Sequence, residues 1–220
     1  MVRDTAQRVG LAQPEVWAGE IGPHNGGSPP CNHSSMRWAN FADSFWYMDA
    51  MATKAAHGFS VFCRQDFIGA DYGLLDCSTQ TPLPDYYVGK MWTKLMGTGV
   101  LSATVSGPRT VRAYAHCGVG DSDDVVLLLL NLGKQPIAVA VDGPLLAGPS
   151  RTEWHFTAGA GGLGGTGIRL GGAELDWAVN KPLPPMPGVG APNRGAPVRL
   201  AAESIAFVRL PRGAPAGLCN

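Results

Sequence analysis

The residue best placed to do chemistry in this 220-residue chain is Glu20. It ends the run Pro14-Glu15-Val16-Trp17-Ala18-Gly19-Glu20 and opens the turn Ile21-Gly22-Pro23-His24-Asn25-Gly26-Gly27-Ser28-Pro29. A short apolar stretch that delivers one carboxylate into a Gly/Pro-rich loop is how a barrel strand presents a catalytic group at its C-terminal rim. A carboxylate so placed can attack an electrophilic carbon or move a proton. Cleavage of a glycosidic bond, one reaction of this kind, generally takes two carboxyl groups, and about one strand precedes Glu20 in this chain. The competing reading is a solvated carboxylate at a loop edge, the commonest place for a glutamate.

Further along, Arg64-Gln65 ends a second apolar run, Phe59-Ser60-Val61-Phe62-Cys63. Arg64 reads either as a structural ion-pair partner or as a group that orients a nearby carboxylate. Tyr72, in the loop Gln65-Asp66-Phe67-Ile68-Gly69-Ala70-Asp71-Tyr72-Gly73, can stack on or hydrogen-bond a sugar ring, or be an ordinary loop tyrosine. His24 and His33 read as solvated loop histidines, and His116 and His155 as packed strand residues. Gly161 to Gly167 reads as a hairpin tip, since neither a lysine nor a helix pattern follows as a phosphate loop requires. Of the five cysteines none lies in a CxxC pair, so no metal site is expected.

These residues need elements to hold them. Val16 to Gly19 reads as a strand, and residues 21–39 as a long loop. A helix follows over about 40–57, with Phe41, Phe45, Met48, Ala52 and Ala55 at helical spacing, Asn40 as its cap and Gly58 past its end. Phe59–Arg64 reads as a second strand. Residues 85–96 read as a second helix, with Asp85 as cap and Tyr87, Met91, Trp92 and Leu95 on one face. Two strand–loop–helix units with parallel strands put both loops at one end. After Gly99 the pattern changes to short strands at Val100–Val105, Thr110–His116, Val125–Asn131, Ile137–Val141, Glu153–Thr157 and Ser204–Leu210. That alternation predicts an antiparallel β-sandwich, with residues 1–13 a ragged lead-in and 178–199 an irregular outer coil. The expected division is 1–98 and 99–220.

Bulk properties narrow the function. Hydrophobic residues are 45% of the chain and formal net charge is +0, so it should fold, and it shows no basic footprint for nucleic acid. No run approaches the roughly 18–20 apolar residues of a transmembrane helix. The N-terminus has no apolar core of a signal peptide.

The residues quoted so far form an ordered set with Pro82-Leu83-Pro84-Asp85-Tyr86-Tyr87, Gly97-Thr98-Gly99-Val100-Leu101 and Tyr114-Ala115-His116-Cys117. That set resembles the C-terminal half of heparanase and the heparanase-like proteins, glycoside hydrolase family 79. The resemblance runs from about residue 14 and is strongest over 16–117. It implies the last β/α units of a (β/α)8 TIM barrel followed by a C-terminal antiparallel β-sandwich. It also implies a retaining β-glucuronidase acting on a glucuronic-acid-containing polysaccharide or glycoconjugate, with no cofactor.

On this resemblance Glu20 takes the nucleophile's position, and Arg64 and Gln65 support it. Asn25, Gly26 and Gly27 match one sugar-contacting loop, with Asn25 where the animal enzyme carries an aromatic residue. Ala70, Asp71 and Tyr72 match a second loop, one residue shorter here, with Tyr72 as ligand to the uronic carboxylate. Cys117 and Cys219 match a disulfide of the family. Relatives are secreted, lysosomal or vacuolar, or membrane-associated.

The family's acid/base is a glutamate that follows an asparagine, and this chain has no Asn-Glu dipeptide. Glu153, Glu174 and Glu203 fall in the sandwich, away from a barrel rim. The expectation is therefore a C-terminal fragment lacking its general acid, inactive alone, to which a separate N-terminal barrel chain is a candidate partner. The alternative from another class is a noncatalytic glycan-binding or interaction module built on the sandwich.

Overall fold

A computed structural model of the chain describes residues 2–10, 14–24, 38–120, 123–142, 148–193, 196–211 and 219. The lead-in contains a short helix, α1 (Val2–Arg8), where the sequence reading expected a ragged segment. Strand β1 (Val16–Ile21) and strand β2 (Phe59–Arg64) pair in parallel, joined by helix α2 (Phe41–Ala56). The α2 start is capped as expected, because the Asn40 side chain accepts from the Asp43 amide at 3.1 Å. Beyond its end Gly58 takes φ +77°, a left-handed position that suits glycine.

Helix α3 (Pro84–Leu95) corrects one expectation. Leu83 occupies the N-cap without a side-chain bond and Pro84 opens the first turn, where its missing N–H costs nothing. Asp85 is not the cap; its carboxylate is buried and accepts from the Ser44 hydroxyl at 2.7 Å. The two helices approach closely at Gly89, where a Cβ would stand 3.0 Å from the Tyr47 ring.

Helix α3 runs straight into β3 (Met96–Leu101), so the expected 98/99 division falls inside a strand. The remaining strands are β4 (Val111–Gly118), β5 (Val125–Asn131), β6 (Ile137–Val139), β7 (Ser150–Ala158), β8 (Ile168–Leu170), β9 (Ala173–Glu174), β10 (Val189–Pro192), β11 (Val198–Leu200) and β12 (Ser204–Leu210). The large sheet has the order β3-β4-β5-β12-β7-β8-β9, with β10 also on β7, and its pairings are antiparallel. A two-stranded β6–β11 sheet lies apart. Strands β10 and β11 fall within 178–200, so that region is not wholly irregular. Where β3 meets β4, a Cβ on Gly97 would come within 2.6 Å of the Gly118 carbonyl oxygen, so only glycine permits this approach.

Every residue of β5 is buried, and the alternation along it explains why. Val126, Leu128 and Leu130 join Phe156, Ile205 and Phe207 in one cluster with Phe41, Met48, Tyr87 and Met91 of the helices. Val125, Leu127 and Leu129 join Val198 and Leu200 in a second cluster, with Ile137 and Val139 packed on it. The large sheet is thus covered by α2 and α3 on one face and by β6–β11 on the other. A strand buried on both faces reads as a continuous apolar run. The Gly-rich stretch after β7 forms a hairpin tip, and its Gly165 carbonyl accepts from the Phe41 amide at 3.0 Å, at the start of α2. One Cys pair, Cys117–Cys219, is bridged, tying residue 219 to β4; Cys77 is also disulfide-bonded, and Cys63 is free and exposed.

Candidate functional site

Parallel pairing of β1 and β2 sends the segments after Ile21 and after Arg64 out of the same end of the sheet. Glu20 stands at that end and is exposed. The register gains one residue on β1 between the pairs Ala18–Phe62 and Ile21–Arg64, so Gly19 and Glu20 sit at an irregularity of the ladder. Bulges of this kind re-aim a side chain and are frequent beside active sites.

The two rim segments touch. Gln65 donates its amide to the Ile21 carbonyl at 2.9 Å. A side chain begun at Gly22 would meet the Gln65 carbonyl oxygen at 3.4 Å and the Tyr72 ring at 3.5 Å, so Tyr72 packs two residues beyond Glu20 in the chain. Ala70, Asp71 and Tyr72 are all buried. The loop folds on itself through Asp66, whose carboxylate accepts from the Ala70 amide at 3.1 Å and whose carbonyl accepts from the Leu74 amide at 3.1 Å. Trp38 donates its amide to the Asp71 carbonyl at 3.2 Å and stacks on His24 with ring centroids 5.7 Å apart. The described ends of the first loop are therefore fixed beside the second. Asn25, Gly26, Gly27 and His33 lie outside the described residues.

Arg64 does not stand alone against a rim carboxylate. Its side chain is 4% exposed and reaches the carboxyl groups of Asp43 of α2 at 3.2 Å and Asp85 of α3 at 2.9 Å. The same guanidinium donates to the backbone carbonyls of Tyr72, at 2.9 Å, and of Gln65. The rings of Trp46, Tyr47 and Tyr72 surround it at 5.3–5.9 Å. Sequence reasoning missed Asp43 and took Asp85 for a cap. The available signal was a carboxylate at Asp43 inside the apolar stripe of Phe41 and Phe45, where only a paired acid is tolerated.

Burial, and then the like charge and hydrogen bond of Asp85, push the Asp43 carboxyl up from its ordinary 3.8 to about 9, although Arg64 pulls the other way. The folded chain thus holds a proton that the unfolded chain releases above pH about 4. The contribution of this group to stability is fully present below pH about 4 and is lost as pH rises toward 9. An asparagine at this position cannot ionise, so Asp43→Asn should flatten this fall. Urea midpoints at pH 5, 7 and 9 should show the variant gaining on the parent by up to roughly 1 kcal/mol per pH unit. A gap that does not widen with pH would refute the assignment of the proton.

The remaining candidates are structural. His116 donates its Nδ1–H to the Gly97 carbonyl at 2.8 Å and meets the Trp92 ring edge-on, and burial lowers its pKa. His155 bonds Glu153 at 2.6 Å, and Glu153 also pairs with Arg151 on the same strand. Trp154 is in the core and donates to the Met186 carbonyl at 3.2 Å. No group of three or more metal-ligating side chains occurs among the described residues. None of the helices among them is long and apolar enough to cross a membrane.

No protein-family model matches the chain. Heparanase-like protein 1 of Arabidopsis thaliana is 45% identical over 120 residues, which are 54% of this chain and 21% of that protein. Baicalin-beta-D-glucuronidase of Scutellaria baicalensis is 31% identical over 197 residues, 89% of this chain and 36% of that protein. Heparanase of Mus musculus is 31% identical over 201 residues, 88% of this chain and 36% of that protein. The chain thus spans well under half the length of these relatives. Among solved structures, a 4-O-alpha-L-rhamnosyl-beta-D-glucuronidase from Fusarium oxysporum superposes with TM-score 0.57 at 14% identity, over 79% of this chain and 40% of that one. A family 30 xylanase from Clostridium acetobutylicum does so with TM-score 0.52 at 16% identity, over 89% of this chain and 42% of that one. These neighbours are TIM-barrel glycosidases, and the chain superposes on less than half of each. By sequence the chain is similar to heparanase and the heparanase-like proteins over their C-terminal portion.

Proposed function

We propose that the chain carries the nucleophile half of a retaining β-glucuronidase of heparanase type. The observation that carries this reading is the placement of exposed Glu20 at the rim of a parallel strand pair, with the Tyr72 loop packed against the residues that follow it. Similarity to a glucuronidase and to heparanase supports the substrate class, a glucuronic-acid-containing glycan or glycoconjugate. The two β/α units are then the last two of a (β/α)8 barrel, and the antiparallel sheet with β6–β11 is its C-terminal sandwich. The disulfide fits an oxidising compartment along an export route.

In this reading the Glu20 carboxylate attacks the anomeric carbon and forms a glycosyl ester, which water then hydrolyses. Tyr72 faces the uronic carboxylate, and Asn25, Gly26 and Gly27 line the sugar from the first loop. A general acid must stand about 5–5.5 Å from the nucleophile. Of the carboxylates of the adjacent loop, Asp66 accepts from the Ala70 amide within its own loop and Asp71 is buried. The acid therefore belongs to the portion of the relatives that this chain does not span.

The test is hydrolysis of a chromogenic β-glucuronide. The chain alone should show no turnover. Co-expression with the N-terminal portion of the Scutellaria relative should restore it, and Glu20→Gln should remove it again by at least about a thousandfold. Turnover that survives Glu20→Gln would sink the assignment.

A further inference from the structure

We propose that Arg64 is the positioning residue of the rim loop that carries Tyr72, with Asp43 and Asp85 as its two anchors. The proposal rests on the functional reading only for what the loop is for; the positioning itself is a matter of hydrogen bonds. Arg64 closes the loop at both ends, donating to the carbonyl of Gln65 at its start and of Tyr72 near its finish. It is held from behind by one carboxyl group from each helix. Helix α2, helix α3 and the loop thus meet on one guanidinium. A shift of either helix is passed to the Tyr72 backbone, and so to the tyrosine beside the Glu20 rim.

The hydrogen count shows how the anchor can fail. The Nη2 nitrogen carries two hydrogens. It faces three acceptors: Asp85 at 2.9 Å, the Tyr72 carbonyl at 2.9 Å and Asp43 at 3.2 Å. While Asp43 keeps its proton it competes weakly, and the two shorter bonds are served. An ionised Asp43 is a stronger acceptor than a neutral carbonyl, and the bond it would displace is the one to Tyr72. The other titratable groups in the cluster do not change this. Tyr47 of α2 is pushed up to about 12 by burial and stays neutral. Asp85 of α3 is already paired. Tyr72 meets Arg64 through its ring and its carbonyl, and Asp66 bonds within the loop. The expected behaviour is a loop that is held at neutral pH and released as Asp43 ionises.

Phe67, 57% exposed in the loop, provides a site-specific reporter. The full chain is treated briefly with chymotrypsin at pH 7 and pH 10, and cleavage after Phe67 is quantified by mass spectrometry. Parent, Asp43→Asn and Arg64→Lys are compared at each pH, which cancels the protease's own pH dependence. The parent-to-Asp43→Asn cleavage ratio should rise at least about fivefold from pH 7 to pH 10. Arg64→Lys, which cannot reach both carbonyls and both acids, should be cut at least about fivefold faster than the parent at pH 7 while its circular dichroism is retained. A constant parent-to-Asp43→Asn ratio, or a folded Arg64→Lys cut no faster than the parent, overturns the proposal. If Arg64→Lys loses its circular dichroism, the Asp43→Asn ratio alone decides. No sugar is used, so a failure here is distinct from a failure of the glucuronidase reading.

Discussion

Replacing Arg64 by methionine lowers the stability of the chain by about 3–5 kcal/mol, seen as a large drop in the urea midpoint. Arg64 is 4% exposed and faces two carboxyl groups that are at least as buried. Methionine fills a similar volume and keeps the contacts with Trp46, Tyr47 and Tyr72, so packing alone predicts a small effect. The loss comes from what is left behind. Asp85 loses its cationic partner in a buried place and keeps only neutral donors, and the carbonyls of Gln65 and Tyr72 lose their donor. The double variant Arg64→Met with Asp85→Asn should recover part of the loss, since it removes the stranded charge. A single variant within about 1 kcal/mol of the parent would mean that the cluster is wet and weak.

Breaking the Cys117–Cys219 bridge has an effect of the same order. The bridge spans 102 residues of sequence. Closing a loop of that size restricts the unfolded chain by about 4–5 kcal/mol in the chain-entropy account. The closed segment contains β5, β7 and β12, the strands at the centre of the large sheet. Cys117→Ser with Cys219→Ser should therefore unfold at a much lower urea concentration, with a slope no shallower than the parent's because the unfolded chain is less restricted. An unchanged midpoint would mean that the unfolded chain is already compact around that pair.

How much of this could be read in the sequence follows from the range of the interactions. The α2 stripe and its Asn40 cap are local, and the structure repeats them with the ends shifted by one residue. Strands β5 and β12 are dense apolar runs with clear turn residues around them, and their observed limits match the expected ones. The parallel placing of β1 and β2 followed from the helix between them. Asp85 was misread because its fate is set by Arg64, 21 residues earlier, and by Ser44, 41 residues earlier. Strands β10 and β11 are short and sit among prolines and glycines, so propensity hides them; Arg151 holds that segment by donating to the carbonyls of Pro192, Ala196 and Pro197 at 2.7–3.1 Å. The places of Glu20 at a strand end and of Tyr72 in the neighbouring loop were legible because strand ends and glycine loops mark a rim. The Asp43–Arg64–Asp85 cluster was not, because three elements contribute one residue each.

The most direct measurement is the covalent labelling of Glu20. The co-expressed preparation is treated with 2-deoxy-2-fluoro-β-glucuronyl fluoride, and its peptides are weighed by mass spectrometry. Fluoride leaves C1 with little need of a general acid, and the fluorine at C2 slows release of the sugar, so the ester formed by the nucleophile accumulates. The account predicts one added fluoroglucuronyl group on the peptide that contains Glu20, and none in Glu20→Gln. An adduct on another residue, or an unlabelled Glu20, would contradict it.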